Sequence, residues 1–267
     1  MKRREFVKTS LAASACAGLG LAQTSMLGAE PAGSASREFY QLRVYRLRSG
    51  DSHELLDSYL EHAAIPALNR LGIKPIGVFT EPDSKEAPAV YVLIPYPSLE
   101  SLASAANRMR ADAEYQKAGA EYLQSPKSKP AFERIDSWLL LAFAGMPRLE
   151  LAAYSREKKP RMFELRTYES HSELKAMKKV EMFNSGEIDV MREVGLAPVF
   201  YGQALIGSNL PHLTYMTSGE NEDLHKKHWD AFGKHPVWNK LKDDPQYADT
   251  VSKITKRILT PAAYSQV

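Results

Sequence analysis

Two stretches decide the fold: Tyr40-Gln-Leu-Arg-Val-Tyr45 and Phe163-Glu-Leu-Arg-Thr-Tyr168. They correspond position by position at a shift of 123 residues. The same shift lays Ile65-Pro-Ala-Leu-Asn-Arg-Leu-Gly-Ile-Lys-Pro75 over Ile188-Asp-Val-Met-Arg-Glu-Val-Gly-Leu-Ala-Pro198, with Gly72 on Gly195 and Pro75 on Pro198. It also lays Tyr115-Gln-Lys117 over Trp238-Asn-Lys240. Several anchors at one spacing mark an internal duplication. Residues 37–144 form a first unit, residues 161–267 a second, and 145–160 the linker between them.

Each unit reads alike. Residues 39–47 and 162–168 alternate polar with β-branched, aliphatic or aromatic side chains, the period of a strand. Asp51-Ser-His-Glu54 and Ser170-His-Ser-Glu173 read as capping boxes that open a helix. In the first of these helices Leu55, Leu56, Tyr59, Leu60, Ala63, Ala67 and Leu71 recur on one side. Gly72 and Gly195, each with proline three residues on, end the helices as left-handed caps. Strands follow at 76–80 and 90–96, and at 199–206 and 213–217. Helices near 99–114 and 221–232 come next, and closing strands at 135–143 and 251–259. The order is βαββαβ twice, two ferredoxin-like units. A four-stranded sheet with helices on one face leaves its other face bare. Two tandem units in one chain cover it by packing sheet on sheet, so the expected fold is α+β, a dimeric-type α/β-barrel closed within one chain.

The strings Phe163-Glu-Leu-Arg-Thr-Tyr168 and Ile258-Leu-Thr-Pro-Ala-Ala-Tyr-Ser265, the duplication and the Gly-x-x-Pro helix exit resemble the NIPSNAP family over residues 38–267. The resemblance implies the same barrel and little chemistry, because the family has no settled activity and no agreed catalytic residues to carry over. Related barrel families include cofactor-independent monooxygenases and haem-binding proteins, so fold analogy alone decides no function.

Charge locates the excess rather than a partner. The chain carries 35 basic and 32 acidic residues. Lys2, Arg3, Arg4 and Lys8 against Glu5 account for the surplus, and the rest balances at 31 of each. Met-Lys-Arg-Arg-Glu-Phe-Val-Lys8 followed by an uncharged, small-residue stretch reads as a twin-arginine export signal over residues 1–29, with cleavage between 29 and 35. Its modest apolarity does not meet the ~20 residues of a membrane span. The expected product is exported, periplasmic or secreted. Cys16, the only cysteine, falls in that leader, so the mature chain would have no disulfide staple. Without a basic stripe, nucleic-acid binding is not expected.

Strand alternation supplies the site candidates. With Phe163 and Leu165, and Leu42 and Val44, assigned to the helix side, Gln41, Arg43, Tyr45, Glu164, Arg166 and Tyr168 would face a common barrel interior. Gln41, Arg43, Glu164 and Arg166 then become ligand-binding candidates for a polar or anionic molecule. The plainer alternative is a structural network in which Glu164 pairs with an arginine. His62, Tyr45 and Tyr168 are the acid–base candidates. His225 and His228 share a helix face at metal-ligand spacing, but no third ligand is identifiable and lysines adjoin them; a half-exposed helix face is the better reading. No metal or cofactor is expected. The sequence therefore points to a NIPSNAP-type protein without assigned catalysis that binds a small ligand or a protein partner, with a homodimer left open. The class-different alternative is a cofactor-independent monooxygenase or isomerase acting in the barrel cleft.

Overall fold

β1 (Phe39–Arg46) and β5 (Met162–Glu169) are the central strands of two equivalent sheets in the computed structural model, which describes residues 36–48, 53–82 and 86–267. β1 is flanked by β3 (Ala89–Tyr96) and β4 (Arg134–Ala142), and β2 (Gly77–Thr80) lies beyond β3. β5 is flanked in the same way by β7 (His212–Gly219) and β8 (Lys253–Pro261), with β6 (Ala197–Ile206) beyond β7. All pairings are antiparallel, and the eight strands close into one barrel in the order β1-β3-β2-β8-β5-β7-β6-β4. Closure leaves no sheet edge exposed.

Two seams join the repeats. β4 pairs with β6 across Leu139–Ala142, with a bulge at Leu139/Leu140. β2 pairs with β8 through Phe79↔Pro261 and Thr80↔Thr260. The C-terminal tail extends this second seam: Ala262 N–H donates to the Val78 carbonyl at 2.9 Å, Val78 N–H to Ser265 Oγ at 3.0 Å, and Gln266 N–H to the Ile76 carbonyl at 2.9 Å. The Leu-Thr-Pro-Ala-Ala-Tyr-Ser string is thus a zipper onto the first repeat. The linker is tied down too, with Leu149 and Leu151 packed against the barrel interior.

The alternation in β1 and β5 stands, but the two faces are the reverse of those expected. Leu42, Val44, Phe163 and Leu165 point into the barrel, where they join Tyr40, Phe79, Phe200 and Met216 in a single cluster drawn from both repeats. An eight-stranded barrel is only wide enough to be filled by its own side chains, and dehydrating an arginine there without a partner would be costly. Gln41, Arg43, Tyr45, Glu164, Arg166 and Tyr168 therefore sit on the outer face, beneath the helices.

Helix details differ in instructive ways. The long helices, residues 54–70 and 173–193, are interrupted at equivalent positions, the first by a π-helical turn at Leu60–Ala64 and the second by a kink within Phe183–Glu187, where Gly186 has φ 135°. Both end on left-handed glycines, Gly72 at φ 79° and Gly195 at φ 87°. Ser172 rather than Ser170 caps the second helix, accepting from Lys175 N–H; Ser170 instead donates to the Thr250 carbonyl at 2.6 Å. The capping residue expected at Asp51 lies outside the described residues, as does the leader over 1–29. The helix expected over 99–114 breaks after Leu99–Arg110, because Asp112 caps a new one, Ala113–Ala118.

Candidate functional site

With Leu42 and Val44 committed to the barrel, β1 presents Gln41, Arg43 and Tyr45 to the helix layer of the first repeat. Tyr59 and Leu60 from the long helix, Val92 and Tyr96 from β3, and Leu102 and Ala106 from helix Leu99–Arg110 complete the walls of a cavity of about 180 Å³. For scale, an engineered apolar cavity of roughly 150 Å³ admits benzene. Ala106 is exposed at its mouth, so the cavity opens to solvent beside that methyl group. Its walls are hydrocarbon and phenol. The Tyr59 and Tyr115 hydroxyls lie 2.9 Å apart, and Tyr122 stacks on Tyr59 with centroids 3.7 Å apart. The Tyr96 hydroxyl donates to Gln41 Oε1 at 3.3 Å, and Gln41 Nε2 donates to Ser137 Oγ at 3.0 Å.

Arg43 is the one charge on this lining. Among the described residues no carboxylate pairs with it, and the groups that act on it are the phenols of Tyr45, Tyr96 and Tyr59. Burial pushes its guanidinium down, but those phenols outweigh burial and the net direction is upward. It is a cation at every physiological pH. Burial pushes the Tyr59, Tyr96 and Tyr122 hydroxyls up, so these phenols stay protonated and offer hydrogen bonds rather than charge.

The second repeat treats the equivalent arginine differently. Arg166 Nε donates to Glu164 Oε1 at 2.8 Å, and its Nη1 donates to the Tyr168 hydroxyl at 3.3 Å. The Trp229 ring covers the guanidinium at 3.6 Å, and Trp229 Nε1 donates to Glu164 Oε2 at 2.7 Å. His225 Nε2 also reaches Glu164 Oε2, at 2.9 Å. Burial pushes the Glu164 carboxyl up, but the His225 hydrogen bond and the Arg166 charge reverse this and hold it at about 2. Glu164, Arg166, His225 and Trp229 also line a hollow of about 340 Å³, shared with Glu222, Asp223, Lys226 and Ile258 and more open to solvent than the cavity of the first repeat.

The candidate residues therefore fall into two groups rather than one. Gln41, Arg43 and Tyr45 meet in the first repeat; Glu164, Arg166 and Tyr168 meet in the second. His62 joins neither: its side chain is 63% exposed and pairs with the neighbouring Glu61 at 3.7 Å, away from the cavity that Leu60 and Ala64 line. His225 is buried against Glu164 rather than half-exposed, and His228 packs under Gly195. The two imidazoles thus serve different neighbours. No cluster of three or more His, Cys, Asp or Glu suited to a metal ion occurs among the described residues.

A second cavity, about 220 Å³, opens at one mouth of the barrel, between Leu42, Tyr91 and Trp138 on one side and Thr167, His212 and Thr214 on the other. Its cations are already paired: Arg46 with Asp136 at 2.9 Å, Arg257 with Glu81 at 2.7 Å and Lys253 with Glu169 at 2.9 Å. Burial pushes the His212 imidazole down, so it is neutral near pH 7. Tyr59, Tyr96 and Ala106 had no local signature in the sequence. Extending the 123-residue shift through the second helices would have exposed the contrast of Ala106 with Trp229.

The NIPSNAP family pattern matches residues 40–144 and again 163–266. The chain belongs to the NIPSNAP family. Both matches coincide with the two structural repeats. Among curated proteins none matches the chain. Solved structures reproduce the fold: a protein of Fusobacterium nucleatum provisionally called a monooxygenase is 9% identical, with TM-score 0.54 over 85% of this chain and 93% of its own. A protein of Lactobacillus acidophilus NCFM with the same provisional description is also 9% identical, with TM-score 0.54 over 84% and 94%. An uncharacterised NIPSNAP-like domain protein of Burkholderia xenovorans is 19% identical, with TM-score 0.36 over 40% and 89%. At 9% identity the likeness to the first two concerns the fold alone. No helix among the described residues is long and apolar enough to cross a membrane.

Proposed function

We propose that this NIPSNAP-family protein is a small-molecule binding protein that holds a compact anion in the helix–sheet cavity of its first repeat. One observation carries the reading: Arg43 stands in an accessible cavity without a carboxylate partner, whereas the equivalent Arg166 is paired, covered and satisfied. A half-buried guanidinium with spare donors is suited to charge-assisted hydrogen bonds with an incoming carboxylate or similar group. The surrounding apolar wall supplies the rest of the affinity, as is usual for small-ligand sites. Gln41 and Tyr45 flank Arg43 as polar neighbours. Glu164 and Arg166, which satisfy each other, have a structural role in this reading.

Binding is favoured over catalysis by the chemistry of the lining. The phenols that burial pushes up are poor bases near neutral pH, and His62 points to solvent. Native mass spectrometry of protein purified from its own host tests the proposal. The expected result is a small acidic molecule retained by the wild type and lost in Arg43→Gln; equal retention by both would overturn the reading. The proposal includes export directed by residues 1–29. Cell fractionation with N-terminal sequencing should find a product beginning between residues 30 and 36, and a cytoplasmic product that keeps Met1 would refute it.

A further inference from the structure

Resting on that reading, we infer that the cavity ligand is a planar aromatic carboxylate, because the second repeat fills its equivalent space with those same two chemical groups. The repeats superpose in sequence at a constant shift of 123, and their elements obey it: β1 onto β5, β3 onto β7, and helix Leu99–Arg110 onto Glu222–Lys234. Position by position, Arg166 corresponds to Arg43, Glu164 to Gln41, His225 to Leu102, and Trp229 to Ala106.

The second repeat closes over its arginine with two groups. The Glu164 carboxylate accepts from Arg166 Nε at 2.8 Å, and the indole of Trp229 lies over the guanidinium at 3.6 Å while its N–H ties back to the same carboxylate. Both are missing from the first repeat. Gln41 is neutral and its amide is engaged by Tyr96 and Ser137. Ala106 leaves the mouth open where the indole would sit. The imidazole position is not vacant in the same sense. Gly219 makes room for the His225 ring, since a Cβ there would come within 3.0 Å of its Nδ1; the first repeat has Tyr96 at that position, and its hydroxyl already reaches Gln41. What the first repeat lacks, relative to its twin, is one carboxylate and one flat ring. A ligand that joins the two in one molecule would satisfy the Arg43 donors, stack on its face and replace the open mouth with an aromatic lid against the Tyr45, Tyr59 and Tyr96 walls.

The test uses the full chain and three probes in isothermal titration calorimetry: indole-3-acetate, its neutral analogue indole-3-acetamide, and octanoate. Indole-3-acetate should bind with a stoichiometry of one, at least tenfold more tightly than either of the others, and Arg43→Gln should weaken it at least tenfold. Octanoate binding as tightly as indole-3-acetate, with both lost in Arg43→Gln, would overturn the aromatic inference and leave the anion site standing. No binding by any probe at millimolar concentration would overturn both. The variants Gln41→Glu with Ala106→Trp should transplant the internal plug, keep the wild-type circular dichroism spectrum and abolish binding. The reciprocal pair, Glu164→Gln with Trp229→Ala, should raise the stoichiometry from one to two. If the reciprocal variant folds and still binds only one probe, the equivalence of plug and ligand is refuted. If it does not fold, the three-probe comparison on the wild type still decides the matter.

Discussion

The two repeats share strands, helices and glycine caps, yet the arginine of one is paired with a carboxylate and covered by an indole while that of the other lines a cavity without a counter-ion. In the second, Glu164, Arg166, His225 and Trp229 form a connected polar network, and Lys179 and Glu187 of the long helix make a buried ion pair at 2.8 Å. The first repeat has Leu56 and Ala64 at the positions of that pair, and an arginine with no counter-ion beneath an open mouth. The contrast shows how one duplicated scaffold carries two different polar layers. A carboxylate and an indole hold the arginine of the second repeat in place, while the matching layer, with Gln41 and Ala106 at those positions, keeps the same strands and leaves a cavity of about 180 Å³.

The largest expected difference comes from removing each arginine in turn. Arg166→Met strands the buried Glu164 carboxylate and should cost about 3–5 kcal/mol. Arg43→Met removes a cation that has phenol neighbours but no carboxylate partner, and should change stability by less than about 1 kcal/mol. Urea unfolding of the two variants measures this directly, and similar losses would erase the distinction between the repeats. Next in size is acid sensitivity. The folded Glu164 carboxyl sits at about 2, below the ~4.3 of an unfolded glutamate. Its stabilisation, on the order of 2–3 kcal/mol, is therefore fully present above about pH 4.3 and is lost as pH falls toward 2. Stability measured across that window should drop less steeply in Glu164→Gln than in the wild type, whereas Gln41→Ala should leave the slope unaltered. A smaller effect is expected from closing the open mouth. Ala106→Trp should place an indole over Arg43 and raise stability by about 0.5–1 kcal/mol, seen as a higher melting temperature; a drop would mean that the first repeat cannot accommodate its twin's lid. The smallest concerns His62→Ala, which should alter stability by less than about 0.5 kcal/mol and leave ligand retention in native mass spectra unchanged.

Much of the architecture was legible from particular residues. Gly72 and Gly195 stop their helices with positive φ, as helix-terminating glycines do. The duplication announced itself in Tyr40–Tyr45 and Phe163–Tyr168. Other features left no local trace. The interruptions of the two long helices, Leu60–Ala64 and Phe183–Glu187, fall at equivalent positions but share no motif, and only the second contains a glycine, Gly186, in a positive-φ conformation. The break at Asp112 was hidden because the flanking residues are good helix formers; the carboxylate that accepts from Tyr115 N–H and receives Arg70 decides it.

The sequence by itself determined that Arg43 and Arg166 lie on the same side of their strands as Gln41, Tyr45, Glu164 and Tyr168, because side chains in a strand alternate with period two. It could not say which side faces the barrel, since a period of two defines a pair of faces and is indifferent to which is enclosed. Closure of eight strands settled that by demanding a filling of Leu42, Val44, Phe163 and Leu165, which can be dehydrated from every direction. The same closure divided the candidate residues between two separate layers. Only there did the tertiary structure set Trp229 and Glu164 against Arg166 and only phenols against Arg43, because what a side chain on a helix touches depends on the strand register beneath it.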